Sequence, residues 1–378
     1  MDFQLFLKKY NIPTTLALIM LPLVSIICLP LYIYNYGIMW HEPFLFISGW
    51  IISGLGITFG YHRLFAHRSF KAHKIIQFLA MLSGSMALQN SILKWCSDHR
   101  THHKKLDTEE DPYSIIKGFF HAHIGWVIEN NNAKIKGVND LKRNPVVMFQ
   151  EKNYWVISIT LSFIVPLIIG FIYGRPFGSL LWGGILRVTV VHHATFFINS
   201  LCHFIGKRPF EPKITARDSW WVAFLTFGEG FHNFHHKFHW DYRNGIRWYD
   251  FDPGKWIIKI LSFFRLTSNI QKAEEHQILK ARYNGLLEKI QLSHAQASNK
   301  INSLYSKQVH EIQEKASNVY SKWIDFELNF KDLKSRGFSD RFEKARMMHK
   351  RKMLKMEYSS LLNGLSIILL SIRNSNYI

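Results

Sequence analysis

Cysteine is nearly absent. Only Cys28, Cys96 and Cys202 carry a thiol in 378 residues, and none stands in a CxxC pair. That count excludes a disulfide framework and a zinc-finger ligand set. Acidic residues are short as well, 27 Asp plus Glu against 47 Lys plus Arg, for a net charge of +20. Such a surplus suits an anionic membrane, a phosphorylated ligand or nucleic acid. Proline is missing after Pro253, and that C-terminal stretch holds no cysteine cluster, no GxGxxG loop and no HPGG haem signature. A fused electron-transfer domain is therefore not expected there. What the chain does have is bulk: 30 Phe and 12 Trp exclude an intrinsically disordered protein.

Charge is also absent from long runs. Residues 13–36, 43–61 and 154–173 carry almost none, and 177–202 is broken only by Arg187. A bilayer core needs roughly 20 apolar residues per helix, so four spans in two hairpins are expected. Arg187 would cost about 2.5 to 3.5 kcal/mol at mid-membrane, so it should face protein or snorkel. The links between paired spans are short and carry one cation, Arg175, whereas 62–152 and everything after His203 are rich in Lys and Arg. The positive-inside rule then puts both termini and the long middle segment in the cytoplasm. The first apolar run is too long for a cleavable signal peptide and is followed at once by a second span. Residues 75–93 are apolar too, but Ser83, Gln89, Asn90 and Ser91 interrupt them. They are expected as a helix lying on or just under the membrane surface.

Twenty histidines are the unusual abundance. His62 and His67 stand in HRLFAH at the end of the second span, and His99, His102 and His103 in HRTHH. His203 closes the fourth span in NSLCH, four residues after Asn199, while His232, His235 and His236 stand in HNFHH. Residues three and four apart share a helix face, so each HxxHH can aim three imidazoles one way. All nine fall on one side of the membrane, and one metal takes about four to six ligands, so two ions are expected. The others have plainer readings: His73, His121, His123, His192 and His193 as packing or supporting residues, His41 at the opposite face, and His276, His294, His310 and His349 in a charged tail. Imidazole does not choose among zinc, copper, iron and nickel. The lack of a base or nucleophile beside the boxes favours redox over hydrolysis, and iron is the natural metal for oxygen.

The phrases QNSILKWCSDHRTHH, GFFHAHIGW and FGEGFHNFHH resemble the histidine boxes of membrane fatty acid desaturases, most closely the acyl-CoA Δ9 (stearoyl-CoA) branch. The resemblance implies an all-α membrane protein: four transmembrane helices under a cytosolic helical cap that holds a non-haem di-iron centre. It implies the nine histidines as ligands, with Asn199 acting through a water. It implies O2-dependent insertion of a cis double bond into a saturated acyl-CoA, with electrons from an external donor of cytochrome b5 or ferredoxin type. Family positions that bend the acyl tunnel fall on Gln89, Trp95 and Thr195, and contacts to the CoA head group on Asn90 and Asp98. The Arg that precedes that Asp in the family is Ser97 here. Gly54 lies near the family's chain-length limit and would leave room for a chain of about C16 to C18. HHATFFINS looks more like bacterial members, favouring a bacterial inner membrane over endoplasmic reticulum.

These readings divide the chain into a cytosolic segment 1–12, a hairpin 13–61, cap 62–153 with two boxes, a hairpin 154–203, cap 204–270 with the last box, and a basic tail 271–378. In the tail, Tyr283, Leu287, Ile290, Ala297, Ile301 and Leu304, then after a one-residue slip Tyr305, Val309, Ile312, Ala316, Val319, Trp323, Phe326 and Phe330, follow three-four spacing. One long amphipathic or coiled-coil helix is expected, able to dimerise, fold back on the cap or dock an electron donor. The apolar end, 361–372, is too short to span a bilayer and is expected to lie at the interface after the basic MMHKRKMLK. Membrane lipid is an expected partner and nucleic acid is not. Alternatives are an acyl-lipid desaturase, a di-iron hydroxylase that returns oxygen to the carbon, and a non-catalytic metal-binding membrane protein. The last fits poorly, since transport sites lie at the midplane.

Overall fold

Helix α1, Ile12–Tyr36, starts where Asn11 caps it, its side chain accepting from Thr14 N at 3.2 Å with Pro13 in the first turn. The structure is a computed structural model and describes residues 9–129, 134–294, 299–338 and 341–375. Together with α2 (His41–Ala66), helices Pro145–Ile172 and Pro176–Phe204 complete four that are long and apolar enough to cross a membrane. This is an integral membrane protein. Ile26, Phe171 and Ile172 are mostly exposed on these helices, as lipid-facing residues should be.

Between the hairpins lie α3 (Lys74–Ser85) and α4 (Ile92–Lys105), so the spans just named are α5 and α6. Residues 75–93 do not form the single helix expected of them. The chain leaves α3 at Ser85, takes left-handed backbone at Leu88 (φ 54°) and Asn90 (φ 74°), and restarts where Ser91 caps α4. Gln89 and Asn90, polar residues that disfavour a membrane-surface helix, occupy that break. α3 packs closely on α2: a Cβ on Gly56 would overlap the backbone of Ser83 and Gly84. Arg187 faces protein, as its cost demanded. It is fully buried and donates to Gly183 O, Met86 O and Ser162 O. At the other end of the bundle Arg175 ties the two short links together, donating to Tyr32 Oη, Tyr36 O and Gly37 O.

The cap adds α7 (Trp220–Leu225), α8 (His232–Lys237) and α9 (Pro253–Phe263). Its two short strands, β1 (Lys71–Ala72) and β2 (Thr267–Ser268), pair antiparallel. Arg63, at the end of α2, is buried and donates to Asp252 at 2.7 Å and Glu229 at 3.2 Å, joining span to cap.

A second compact unit comprises Arg208–Lys213 and Ala273–Ile378. Its described helices are α10 (Glu275–His294), α11 (Asn299–Arg336) and α12 (Arg341–Ser375), which pack on one another. One long helix was expected, but the chain folds back on itself. The stripe from Val309 to Phe330 is buried or half-buried against α12, so it is used within the unit. The apolar end, expected at the membrane interface, contributes to the same core. Leu362, Leu365, Ile368, Leu369 and Ile372 all lie in this core. The physical reason is that a 3.6-residue stripe finds a partner more cheaply in the same chain than in another. Trp323, wholly buried, donates from Nε1 to Glu327 at 3.0 Å. Trp323→Ala should destabilise this unit by about 3–5 kcal/mol, seen as faster limited proteolysis of the tail.

Candidate metal centre

The last turns of α2, Gly56–Ala66, are wound as a π-helix. In that winding residues five apart stack, so His67 N donates to His62 O at 2.9 Å and both rings face one way. The HxxxxH spacing is therefore one π-turn. His62 and His67 meet His99 and His103 of α4 and His235 of α8, with donor nitrogens within 4.8 Å of one another. A second group joins His102, His203, His232 and His236 on the same criterion. All nine expected histidines are thus brought together, in two groups.

Each HxxHH box was expected to aim three rings one way. Instead it splits. His99 and His103 are four apart and share a face, while His102 points aside to the second group; His232 and His236 go together and His235 to the first. Adjacent helical residues lie about 100° apart, so a helix running between two sites can serve both.

Nε2 atoms crowd at the centre of each group. His67 Nε2 is 3.1 Å from His62 Nε2 and 2.8 Å from His99 Nε2. His232 Nε2 is 3.1 Å from His203 Nε2 and 3.0 Å from His236 Nε2. Four of the opposite nitrogens turn outward to oxygen. His102 Nδ1 is 2.8 Å from Asp111, His203 Nδ1 2.7 Å from Thr215 Oγ1 and His99 Nδ1 3.3 Å from Tyr113 Oη. His62 Nδ1 lies 3.1 Å from the Glu229 carboxylate. A proton held at Nδ1 leaves the Nε2 lone pair for a metal. Burial, helped by the neighbouring rings, pushes His67, His99, His103, His232, His235 and His236 well below the usual 6.5, so they are neutral, the form that binds metal. Burial favours the protonated acid of Glu229, yet His62, Arg63 and Asn244 outweigh it and hold that carboxyl below its usual range. The donor set fits two imidazole-bound ions.

Glu229, Asp111, Tyr113, Thr215 and Arg63 were not singled out from sequence. Glu229 stood inside GEGFHNFHH and Arg63 inside HRLFAH, both legible as box neighbours, whereas Asp111 and Thr215 carry no spacing signal. His239 was also passed over; its half-buried ring sits 5.7 Å and 5.8 Å from those of His67 and His103, outside both groups. Of the histidines expected to pack or support, His192 Nε2 is 2.9 Å from Ala87 O and His123 bridges Ser200 and His193 at 3.0 Å each, whereas His73 is exposed and caps α3.

A cavity of about 510 Å³ reaches His62, His99, His102 and His232, and Gln89, Asn90, Trp95, Asp98, Thr195 and Asn199 all line it. Gln89 Nε2 donates to Thr195 Oγ1 at 2.9 Å, linking the α3–α4 break to α6. The Trp95 ring stacks on His99 at 4.9 Å. Asn90 is held by its own N–H donating to Tyr154 Oη at 2.9 Å, and Asp98 is paired with Lys94 at 2.7 Å. Gly54 does not leave open room. The Phe227 ring fills the space where its side chain would be, and the two line a small adjoining pocket that shares Ile57, Thr58, Thr195 and Ile198 with the main cavity. Sequence could not show that a cap residue would reach this far.

A histidine-lined cavity at the end of a four-span bundle defines a membrane metal-site protein, and comparison makes that specific. The sequence model of the fatty acid desaturase family matches residues 39–260, and the chain belongs to that family. It is 44% identical over 232 residues to the probable acyl-CoA desaturase of Schizosaccharomyces pombe, covering 60% of this chain and 48% of that protein. To acyl-CoA desaturase 1 of Saccharomyces cerevisiae it is 39% identical over 243 residues, 63% and 48% of the two chains. To the sn-1 stearoyl-lipid 9-desaturase of Anabaena variabilis it is 35% identical over 231 residues, 60% and 83%. The chain spans about half the length of the first two. The family match ends before the helices of the second unit, which begin at Glu275.

Asp111→Asn should weaken metal binding by about 10–100-fold, since orienting partners of a ligand imidazole are worth that much. Metal content of the purified variant, titrated against a chelator, reads it directly.

Proposed function

We propose that this protein is a Δ9 acyl-CoA desaturase acting on saturated chains of about C16 to C18, with two non-haem iron ions, O2 and an external electron donor of cytochrome b5 or ferredoxin type. One observation carries the reading: nine buried or half-buried histidines converge beside a largely apolar cavity of about 510 Å³. His62, His67, His99, His103 and His235 would hold one iron, and His102, His203, His232 and His236 the other, with Asn199 reaching the pair through a water. Bound iron would supply oxygen activation and hydrogen removal from an unactivated C–H bond, which no side chain performs.

The residues of the chain do the rest. The Gln89–Thr195 hydrogen bond and the Trp95 wall would hold the chain bent at the histidines, so that a conformer leading to a cis product is the one presented. Asn90 and Asp98 would meet the head group at the mouth. The apolar walls exclude water from the reacting carbons. The basic surface beside the histidines would face the cytoplasm and attract the phosphates of CoA and an acidic donor. Similarity to the stearoyl-lipid 9-desaturase supports a second reading, in which the chain is esterified to glycerolipid.

Expression in a desaturase-deficient host should yield a new cis-Δ9 fatty acid of about 16 or 18 carbons by gas chromatography with double-bond location, absent with His236→Ala. Purified enzyme given an electron-donor system should then convert acyl-CoA; conversion of glycerolipid alone would select the second reading. Phe227→Ala should open the cavity beyond Gly54 and favour longer chains by about fourfold per added methylene, from about 0.8 kcal/mol each. Competing acyl-CoA lengths in one assay measure it.

A further inference from the structure

We propose that residues 219–228, which include α7, are a membrane-inserted re-entrant segment dipping into the leaflet on the histidine side of the bilayer. The four spans are not the chain's only contact with lipid.

Depth is the first argument. The Phe227 ring packs on Trp50 at 5.1 Å and against Gly54 of α2. Gly54 is thirteen residues after His41 and twelve before Ala66, at the middle of a 26-residue span. Thr226 and Phe227 also line a pocket with Val191 and Ala194 of α6. The segment therefore sits beside the middle of two spans, at hydrocarbon level.

Chemistry agrees with that depth. SWWVAFLTFG contains no charge. Trp220 is 70% exposed, Phe224 51%, and Trp221 and Leu225 about 40% each, an apolar face too large for water contact without a partner. The flanking carboxylates turn inward, Asp218 to Asn233 N and Phe234 N, Glu229 to Arg63 and Asn244. Four backbone N–H groups of the segment are satisfied by nearby carbonyls, which lowers the cost of contact with hydrocarbon: Ser219 N to Gly230 O, Ala223 N to Ser219 O, Thr226 N to Val222 O and Gly228 N to Ala223 O. The lipid-facing surface continues onto α9. Phe224 stacks on Phe251 at 4.4 Å, Phe251 meets Trp256 at 5.9 Å, and Trp256, Ile260 and Phe263 present one exposed face at helical spacing.

Nitroxide labels in the full chain, reconstituted in liposomes, test the depth without reading activity. In a Cys28→Ser background, labels at Phe224→Cys and Leu225→Cys are compared with Ile26→Cys on α1 and Glu109→Cys on the cap surface. Power saturation with O2 and with a water-soluble nickel chelate is measured at each. The proposal expects loss of nickel collisions at 224 and 225 with O2 collisions retained, as at 26. Nickel access like that at 109 overturns it. Exclusion of both reagents overturns it too, because the face would then be covered by protein. Position 225 decides if the 224 variant does not fold.

Discussion

Nine imidazoles with their Nε2 lone pairs turned toward each other are a repulsive, dehydrated arrangement, and the rest of the fold exists to hold it. Each ring must stay neutral and oriented, so its far nitrogen needs an oxygen. Asp111, Thr215, Tyr113 and Glu229 occupy those places. Two of these are carboxylates with almost no exposure, and a buried carboxylate is itself costly unless paired. Arg63 and Asn244 meet that need for Glu229, and Arg63 is balanced in turn by Asp252. The metal centre is thus the middle of a polar network that runs from the end of one span to the cap. Removing one member leaves others unsatisfied, which is why such networks respond strongly to single changes.

The cavity depends on irregular backbone in the same way. Regular α-winding would turn His67 away from His62, and the π-turns of α2 bring them together. A continuous helix through 75–93 would carry Gln89 past the histidines. The break at Leu88 and Asn90 instead places it on Thr195. Both departures cost backbone energy, and both sit at the candidate site, where stored strain is common. Close packing of Gly56 against α3 lets the break lie near α2. Positioning here is achieved by deviations from ideal helices as much as by the helices.

The C-terminal unit obeys simpler rules. Its core is made of α10, α11 and α12 alone, with Trp323, Leu365 and Ile372 fully buried. A buried carboxylate there, Glu327, is met by Trp323 Nε1 and Arg351. The unit's three helices lie outside the region matched by the desaturase family.

Much of this was legible without coordinates. Uncharged runs located the spans, because hydrocarbon excludes charge regardless of what packs nearby. The boxes located all nine histidines, because a metal centre needs many ligands of one type. Arg187 was expected to face protein, since the cost of the alternative is fixed by the membrane. What sequence could not supply was anything that depends on partners distant in the chain. The split of each HxxHH between two groups follows from where α4 and α8 lie, not from their spacing. Asp111, Thr215 and Glu229 matter through contacts that no periodicity encodes. Gly54 read as open space because the residue itself is small, and only tertiary structure put the Phe227 ring beside it. The tail's stripe announced a helix with a partner, but a stripe does not say whether that partner is another chain, a membrane or itself. Local physics selects the elements; the choice among equally good partners is made by the folded chain.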